Sequence, residues 1–385
     1  MNRRFKPALI LVLILSISLA LPLPTAITSA HPSYGGTTTV PDTGVTTYGV
    51  GGDAANGLLF AVGAGDVDSD NYREGVVYKI DDLDTTTDWT SRIFQPPTEE
   101  EIVFYACEVV GSYLFIAGAQ IKSPGTAPST YYPYIVVLDT TDLSEVSSYV
   151  PTTGQYKYSN IDIRDIEVKQ VDSTYYLYLL SVVSGTGAEL YYITFDGGWG
   201  DITLVDEYSG ADGYGITISA DGNYLGVLYK DGNNNLNLSI YDISSGIPSE
   251  YSGSPVIVVS GFTGARAAEA SYSGGWVIAA DNTVYKVDPS TLSVSTIGSY
   301  TGGDAYAMVV AEGDSRQAAY IYSRSDSNIY IPAVDLVNGQ EAYYDQFASG
   351  TLSGHGDTYI IWANSTDLTV QGEGTSDTRP YMVYS

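Results

Sequence analysis

Four acidic residues in one short stretch carry the clearest chemistry in this chain. They are Asp66, Asp68, Asp70 and Glu74, within Gly65-Asp-Val-Asp-Ser-Asp-Asn-Tyr-Arg-Glu-Gly75. A calcium loop places oxygen ligands at positions 1, 3, 5 and 9 and a backbone carbonyl at position 7, which here falls on Tyr72. A chain turning around a cation points alternate side chains inward. Clustered carboxylates repel one another until a cation neutralises them. The spacing predicts a structural Ca2+ site made of Asp66, Asp68, Asp70, Tyr72 (through its carbonyl) and Glu74, which pins a long loop and does not activate water. The competing reading is a solvated acidic hairpin loop in an acidic protein.

A second group is defined by position. Tyr48, Tyr105, Arg164 with Asp165, Asp212 with Tyr214, Arg266, Asp304 with Tyr306, and His355 with Asp357 each stand near the start of a recurring apolar strand. If those strands line one channel, the residues form a ring at its mouth. Aromatic faces would stack on a sugar or peptide, and Arg and Asp would add directional hydrogen bonds. Polar packing where strands crowd together is the alternative. His355 and Asp357 lack a Gly-x-Ser-x-Gly nucleophile partner, so no catalytic residue is assigned. Cys107 lies in the apolar run Phe104–Val110 and reads as a small core residue.

The elements around these residues follow from composition and repetition. The chain has 385 residues, 44% hydrophobic and 16% charged, with 16 Lys plus Arg against 45 Asp plus Glu and a net charge of −29. A field this negative repels phosphate and excludes a nucleic-acid partner. Aromatic content of 12% favours a packed core over disorder, and a single cysteine excludes a disulfide scaffold. Residues 1–30 read as a secretory signal peptide. Arg3, Arg4 and Lys6 precede an apolar run from Ala8 to Leu21, and Thr28-Ser29-Ala30 offers small residues for cleavage. The run is shorter than the roughly 20 residues that a membrane span needs. No integral membrane segment is expected in the mature chain, 31–385, which reads as a single domain. The sequons at Asn237 and Asn364 are compatible with glycosylation outside the cell.

Short Tyr-, Val- and Ile-rich runs alternate with Gly, Asp, Asn and Ser clusters, which is an all-β pattern. One strand type recurs and closes on Asp each time, at Asp81, Asp139, Asp196, Asp242, Asp288 and Asp335. The intervals are 58, 57, 46, 46 and 47 residues, and a further step of 50 reaches Ser385. An Asp at a strand end can accept hydrogen bonds from backbone N–H groups just downstream and so reverse the chain. Four antiparallel strands per repeat make the blade of a β-propeller. The expected fold is a seven-bladed β-propeller of four-stranded antiparallel blades, its ring closed by an N-terminal strand (Thr37–Val40) that completes the last blade. Ile218-Ser-Ala-Asp-Gly-Asn-Tyr-Leu-Gly-Val227 resembles the hairpin of WD40-like, YVTN-type and TolB-type propellers. Val284-Tyr-Lys-Val-Asp-Pro-Ser-Thr-Leu292 resembles YVTN and quinoprotein-type blades. The 66–74 loop resembles that of FG-GAP repeats, with Asn71 where Gly is usual. These resemblances imply fold and no activity.

Three functional readings remain open. The leading one is an exported, non-catalytic binding module at the cell surface or in the extracellular space. Its partner would be a protein, a polysaccharide or a second copy, and calcium would stabilise it. The second is a secreted carbohydrate-active enzyme with its site at the channel mouth, which requires Arg164, Arg266 and His355 to share one cleft. The third is a structural subunit of a surface layer or filament.

Overall fold

The computed structural model describes residues 34–39, 45–53, 58–80, 89–122, 130–150, 161–183, 187–313, 316–325, 328–347, 359–362, 368–371 and 380–384. All belong to the second of the two units into which the chain divides, His31–Ser385. The expected signal peptide, the aspartates Asp81 and Asp357, the histidine His355 and the sequon at Asn364 lie outside the described residues.

Among the described residues the chain is all strand, with no α-helix, and the strands form seven antiparallel sheets. Sheets 1 to 6 follow chain order, each beginning with its innermost strand. Those first strands are Val45–Asp53, Glu100–Val110, Ile163–Val171, Asp212–Ile218, Ala268–Tyr272 and Asp304–Gly313. Sheet 7 starts with Tyr359–Trp362, continues through Leu368–Gln371 and Pro380–Tyr384, and takes its fourth strand from Tyr34–Thr39. Thr37 pairs with Met382 and Thr38 with Tyr381. First strands of consecutive sheets touch one another in order, and the first strand of sheet 7 touches that of sheet 1. This is the arrangement of a β-propeller.

The core lies in layers between sheets, because one sheet alone cannot cover both its faces. Phe60, Val77 and Phe104 pack sheet 1 on sheet 2, Phe115 and Leu177 pack sheet 2 on sheet 3, and Leu238 and Trp276 pack sheet 4 on sheet 5. Trp276 is fully buried, and its Nε1–H donates to the Thr217 carbonyl across the seam (3.2 Å). Cys107 is buried in the same kind of layer, where burial pushes its thiol well above the usual range.

Four of the recurring aspartates do the job expected of them. Asp139 Oδ1 accepts the Thr141 N–H (2.7 Å), Asp242 Oδ1 that of Ser244 (2.8 Å), Asp288 Oδ1 that of Ser290 (2.8 Å) and Asp335 Oδ1 that of Val337 (2.7 Å). At Asp196 the backbone closes the turn instead, with its N–H on the Gly198 carbonyl. Within 218–227, Ser219 Oγ donates to Asp221 Oδ1 (2.6 Å) and accepts the Tyr224 N–H (2.9 Å).

The outer edge of sheet 4 comes in two pieces: Ser249–Glu250 pairs with Tyr241 and Asp242, and Val256–Val259 pairs with Leu236 to Leu238. Pro255, which has no N–H to give a ladder, stands at the break. The Asn237 sequon is no acceptor in the folded chain. Asn237 is 3% exposed in the middle of sheet 4, and its side-chain amide donates to the Asn235 carbonyl.

Candidate functional site

The Asp66–Glu74 segment joins the second strand of sheet 1, Leu58–Gly65, to its third, Glu74–Ile80. Its aspartates fold it locally. Asp66 Oδ2 accepts the Asn71 N–H (3.1 Å), Asp68 Oδ1 that of Asp70 (3.2 Å), and Asp70 Oδ1 that of Tyr72 (2.8 Å). Ser69 and Asn71 take left-handed backbone (φ 66° and 74°), which Asn tolerates well. Glu74 is fully buried, and its Oε2 accepts the Val67 N–H (2.6 Å).

Four features of this loop bear on a cation. One carboxylate oxygen each from Asp66, Asp68, Asp70 and Glu74 falls within 4.8 Å of the others. Ligand oxygens about 2.4 Å from a calcium ion span up to about that distance across it. Asp66 Oδ1 and Glu74 Oε1 are buried without a hydrogen-bond partner. Burial pushes the Glu74 carboxyl up, and the charges on Asp68 and Asp70 add to this against the Val67 N–H. All donors are hard oxygens, so the set fits calcium. Tyr72 is joined to the loop through its backbone N–H.

Five of the residues expected at a channel mouth share a feature that their side chains alone do not announce. In five sheets the ladder between the first and second strands skips one residue of the first strand. Thr47 pairs with Gly63 and Gly49 with Val62; Phe104 with Gly118 and Ala106 with Ala117; Ile163 with Ser181 and Asp165 with Leu180; Gly213 with Tyr229 and Gly215 with Leu228; Ala305 with Ser323 and Ala307 with Tyr322. The bulged residues are Tyr48, Tyr105, Arg164, Tyr214 and Tyr306. A bulge takes a residue out of the pleat and re-aims its side chain. In sheet 2 it needs Gly118 opposite, because a Cβ there would collide with the Val103 carbonyl oxygen.

Tyr48, Tyr105 and Arg164 gather into one cluster and Tyr214, Arg266 and Asp304 into another, while Tyr306 packs within its own sheet. On sheets 1 to 3, Tyr48 and Tyr105 lie 5.3 Å apart by ring centroid, and the Arg164 guanidinium sits 3.9 Å from the Tyr105 centroid while pairing with Asp162 (2.7 Å). Arg73, from the acidic loop, joins this cluster. Its Nε and terminal nitrogen donate to Glu101 Oε2 (2.9 and 2.6 Å), and its charge acts on both tyrosines. On sheets 4 to 6, Tyr214 meets Phe262 edge-on (6.2 Å) and feels the charges of Asp212, Arg266 and Asp304. Asp304 Oδ1 accepts the Ala265 N–H (2.9 Å), and Tyr306 packs edge-on against Tyr322 (6.1 Å).

Asp165 is occupied differently from the expectation of a ligand group. Its Oδ1 accepts the Ile166 N–H and its Oδ2 that of Ile216 (both 2.9 Å), which staples sheet 3 to sheet 4. It belongs with three carboxyl groups that sequence reasoning missed: Glu108, Glu167 and Glu269. A methyl group at Gly215 would lie 3.4 Å from Asp165 Oδ2 and 3.5 Å from Glu269 Oε1. Both Glu269 oxygens are buried without a hydrogen-bond partner. Burial, followed by mutual repulsion, pushes Glu108 up to about 8, and pushes Glu167 and Glu269 well above the carboxylate range. Burial pushes Asp165 up to about 6 despite its two N–H donors. Alternation on the first strands was the available signal for these acids, since Glu108 and Glu167 interrupt apolar runs.

No family model and no curated protein matches the chain. Solved structures similar to it include a chain of a mitotic checkpoint complex (12% identity, TM-score 0.53, covering 92% of this chain and 93% of that one). The Pan2 WD40 domain of Neurospora crassa is similar at 11% identity and TM-score 0.55, covering 91% and 94%, and the Dos1 propeller at 10% and 0.52, covering 91% and 94%. At such identities the likeness establishes the β-propeller fold.

Proposed function

We propose that this protein is an exported, non-catalytic binding module that takes an extracellular protein or polysaccharide on its ring of bulged residues, with calcium holding the Asp66–Glu74 loop. The observation that carries the reading is the repeated bulge. Five first strands each break their ladder at one residue, and that residue is Tyr in four sheets and Arg in the fifth. Repeated disruption of pairing costs stability, and bulges concentrate where a side chain must be aimed. Tyr and Arg combine large contact area with polar tips and are enriched where proteins bind partners. One of the similar solved chains comes from a multiprotein complex, in keeping with a binding role.

The geometry favours binding over carbohydrate chemistry. Arg164 is engaged with Tyr105 and Asp162, whereas Arg266 belongs to the cluster around Tyr214. The test is capture of extracellular proteins and of arrayed glycans by the purified protein and by Tyr48→Ala, Arg164→Ala and Tyr306→Ala variants that keep the parent melting temperature. Loss of capture in these variants supports the reading. Undiminished capture by all three removes the ring as the site. N-terminal sequencing of the protein recovered from culture medium tests export, with His31 expected as the first residue.

A further inference from the structure

We propose that cation binding in the Asp66–Glu74 loop is relayed through Arg73 to Tyr48, Tyr105 and Arg164, so that the loop sets the state of this part of the binding ring. The relay rests on the calcium reading of the loop and on the binding role of the ring.

Register places the two sites at one end of the first sheet. Val45 pairs with Gly65, and Gly65 pairs with Glu74, so the loop projects from the end at which the first strand begins. Successive strand residues face opposite ways. Glu74 opens the third strand with its carboxylate turned in among Asp66, Asp68 and Asp70. Arg73, one residue earlier, reaches to Glu101 on the first strand of sheet 2, and its carbonyl accepts the Ile102 N–H (2.9 Å). One peptide unit therefore separates a cation ligand from a guanidinium that is paired with Glu101 on the strand carrying Tyr105 and is close enough to Tyr48 and Tyr105 to act on them electrostatically.

A ligand in the loop is indicated independently of its acidity. Glu74 is fully buried, and its Oε1 and the Asp66 Oδ1 are buried within the loop without a hydrogen-bond partner. A cation gives these oxygens a partner and cancels the repulsion among the four carboxylates. It thereby fixes where Glu74 sits. Arg73 must follow, because its Nε and terminal nitrogen converge on one Glu101 oxygen, a forked contact that fixes the guanidinium. Both the Arg73 and the Arg164 charges act on Tyr105, and the Arg164 guanidinium sits 3.9 Å from its ring centroid, so a change in the Arg73 position alters the surroundings of Tyr105 and of Arg164.

The test uses the purified protein labelled with 15N-arginine. Terbium luminescence sensitised through Tyr72, competed by calcium, reports loop occupancy. With calcium, the Nε–Hε resonances of Arg73 and Arg164 are expected to shift along the same saturation curve. That of Arg92, which donates to the Leu143 carbonyl and to Glu145, should stay still. Arg73→Lys keeps the charge and loses the forked contact with Glu101. It should retain the terbium affinity and abolish the calcium response of Arg164, with the Arg92 resonance and the melting temperature verifying the fold. Occupancy with a silent Arg164 in the parent overturns the relay alone, as does an Arg164 response that persists in Arg73→Lys. Absence of any luminescence overturns the calcium reading itself and the relay with it.

Discussion

Replacing Glu108 by Gln is expected to stabilise this protein at pH 8 and to flatten the dependence of its stability on pH. Glu108 stands on a first strand, as do Asp165, Glu167 and Glu269, and these buried carboxyls repel one another: Asp165 acts on Glu108, Glu167 and Glu269, and Glu108 and Glu269 act on Glu167. A carboxyl moved from its ordinary 4.5 to about 8 binds its proton more tightly when folded than when unfolded. Stability from such a group is fully present below the unfolded pKa. It falls as pH rises toward the folded value, at about 1.4 kcal/mol per pH unit for one group. Across that window Glu108 withdraws on the order of several kcal/mol. A domain has only about 5–15 kcal/mol to lose, and burial together with mutual repulsion disfavours ionising these groups in the folded chain. The amide of Gln cannot ionise, and its desolvation costs about 1–3 kcal/mol, less than the withdrawn stability. Urea unfolding from pH 5 to pH 9 is the assay. The parent should weaken steadily between about pH 5 and pH 8, and Glu108→Gln should lose about one group's share of that slope. Parallel profiles for parent and variant would refute the picture of a protonated, mutually repelling cluster of buried carboxyls.

Three further outcomes follow from other parts of the structure. Calcium at about a hundred times its dissociation constant should stabilise the parent by about 2.7 kcal/mol in a melting experiment, and Asp66→Asn with Asp68→Asn should remove that gain. Gly118→Ala should cost about 1–3 kcal/mol by urea titration, because its methyl group would meet the Val103 carbonyl at the bulge that aims Tyr105; an unchanged midpoint would mean that the bulge yields freely. Deleting residues 34–39 removes the partner of Pro380–Tyr384 and leaves an open sheet edge, so light scattering should detect association where the intact chain stays dispersed.

The amino-acid sequence was sufficient for whatever depends on neighbours along the chain. Strand alternation and the periodic aspartates placed the repeats. The turns at Asp139, Asp288 and Asp335 form because a short side chain reaches N–H groups two residues on. The acidic loop was legible for the same reason, down to the left-handed Asn71. The candidate ring was legible only as a set of positions. Its organisation depends on contacts between residues far apart in sequence: the skipped pairing at Tyr105, which requires a glycine fourteen residues on from Phe104 at its side; the Arg73–Glu101 pair across two sheets; and the convergence of Asp165 and Glu269 over Gly215. Local chemistry thus determined which elements form and where they turn. Register and the seating of one sheet against the next, which are long-range and collective, decided which side chains meet.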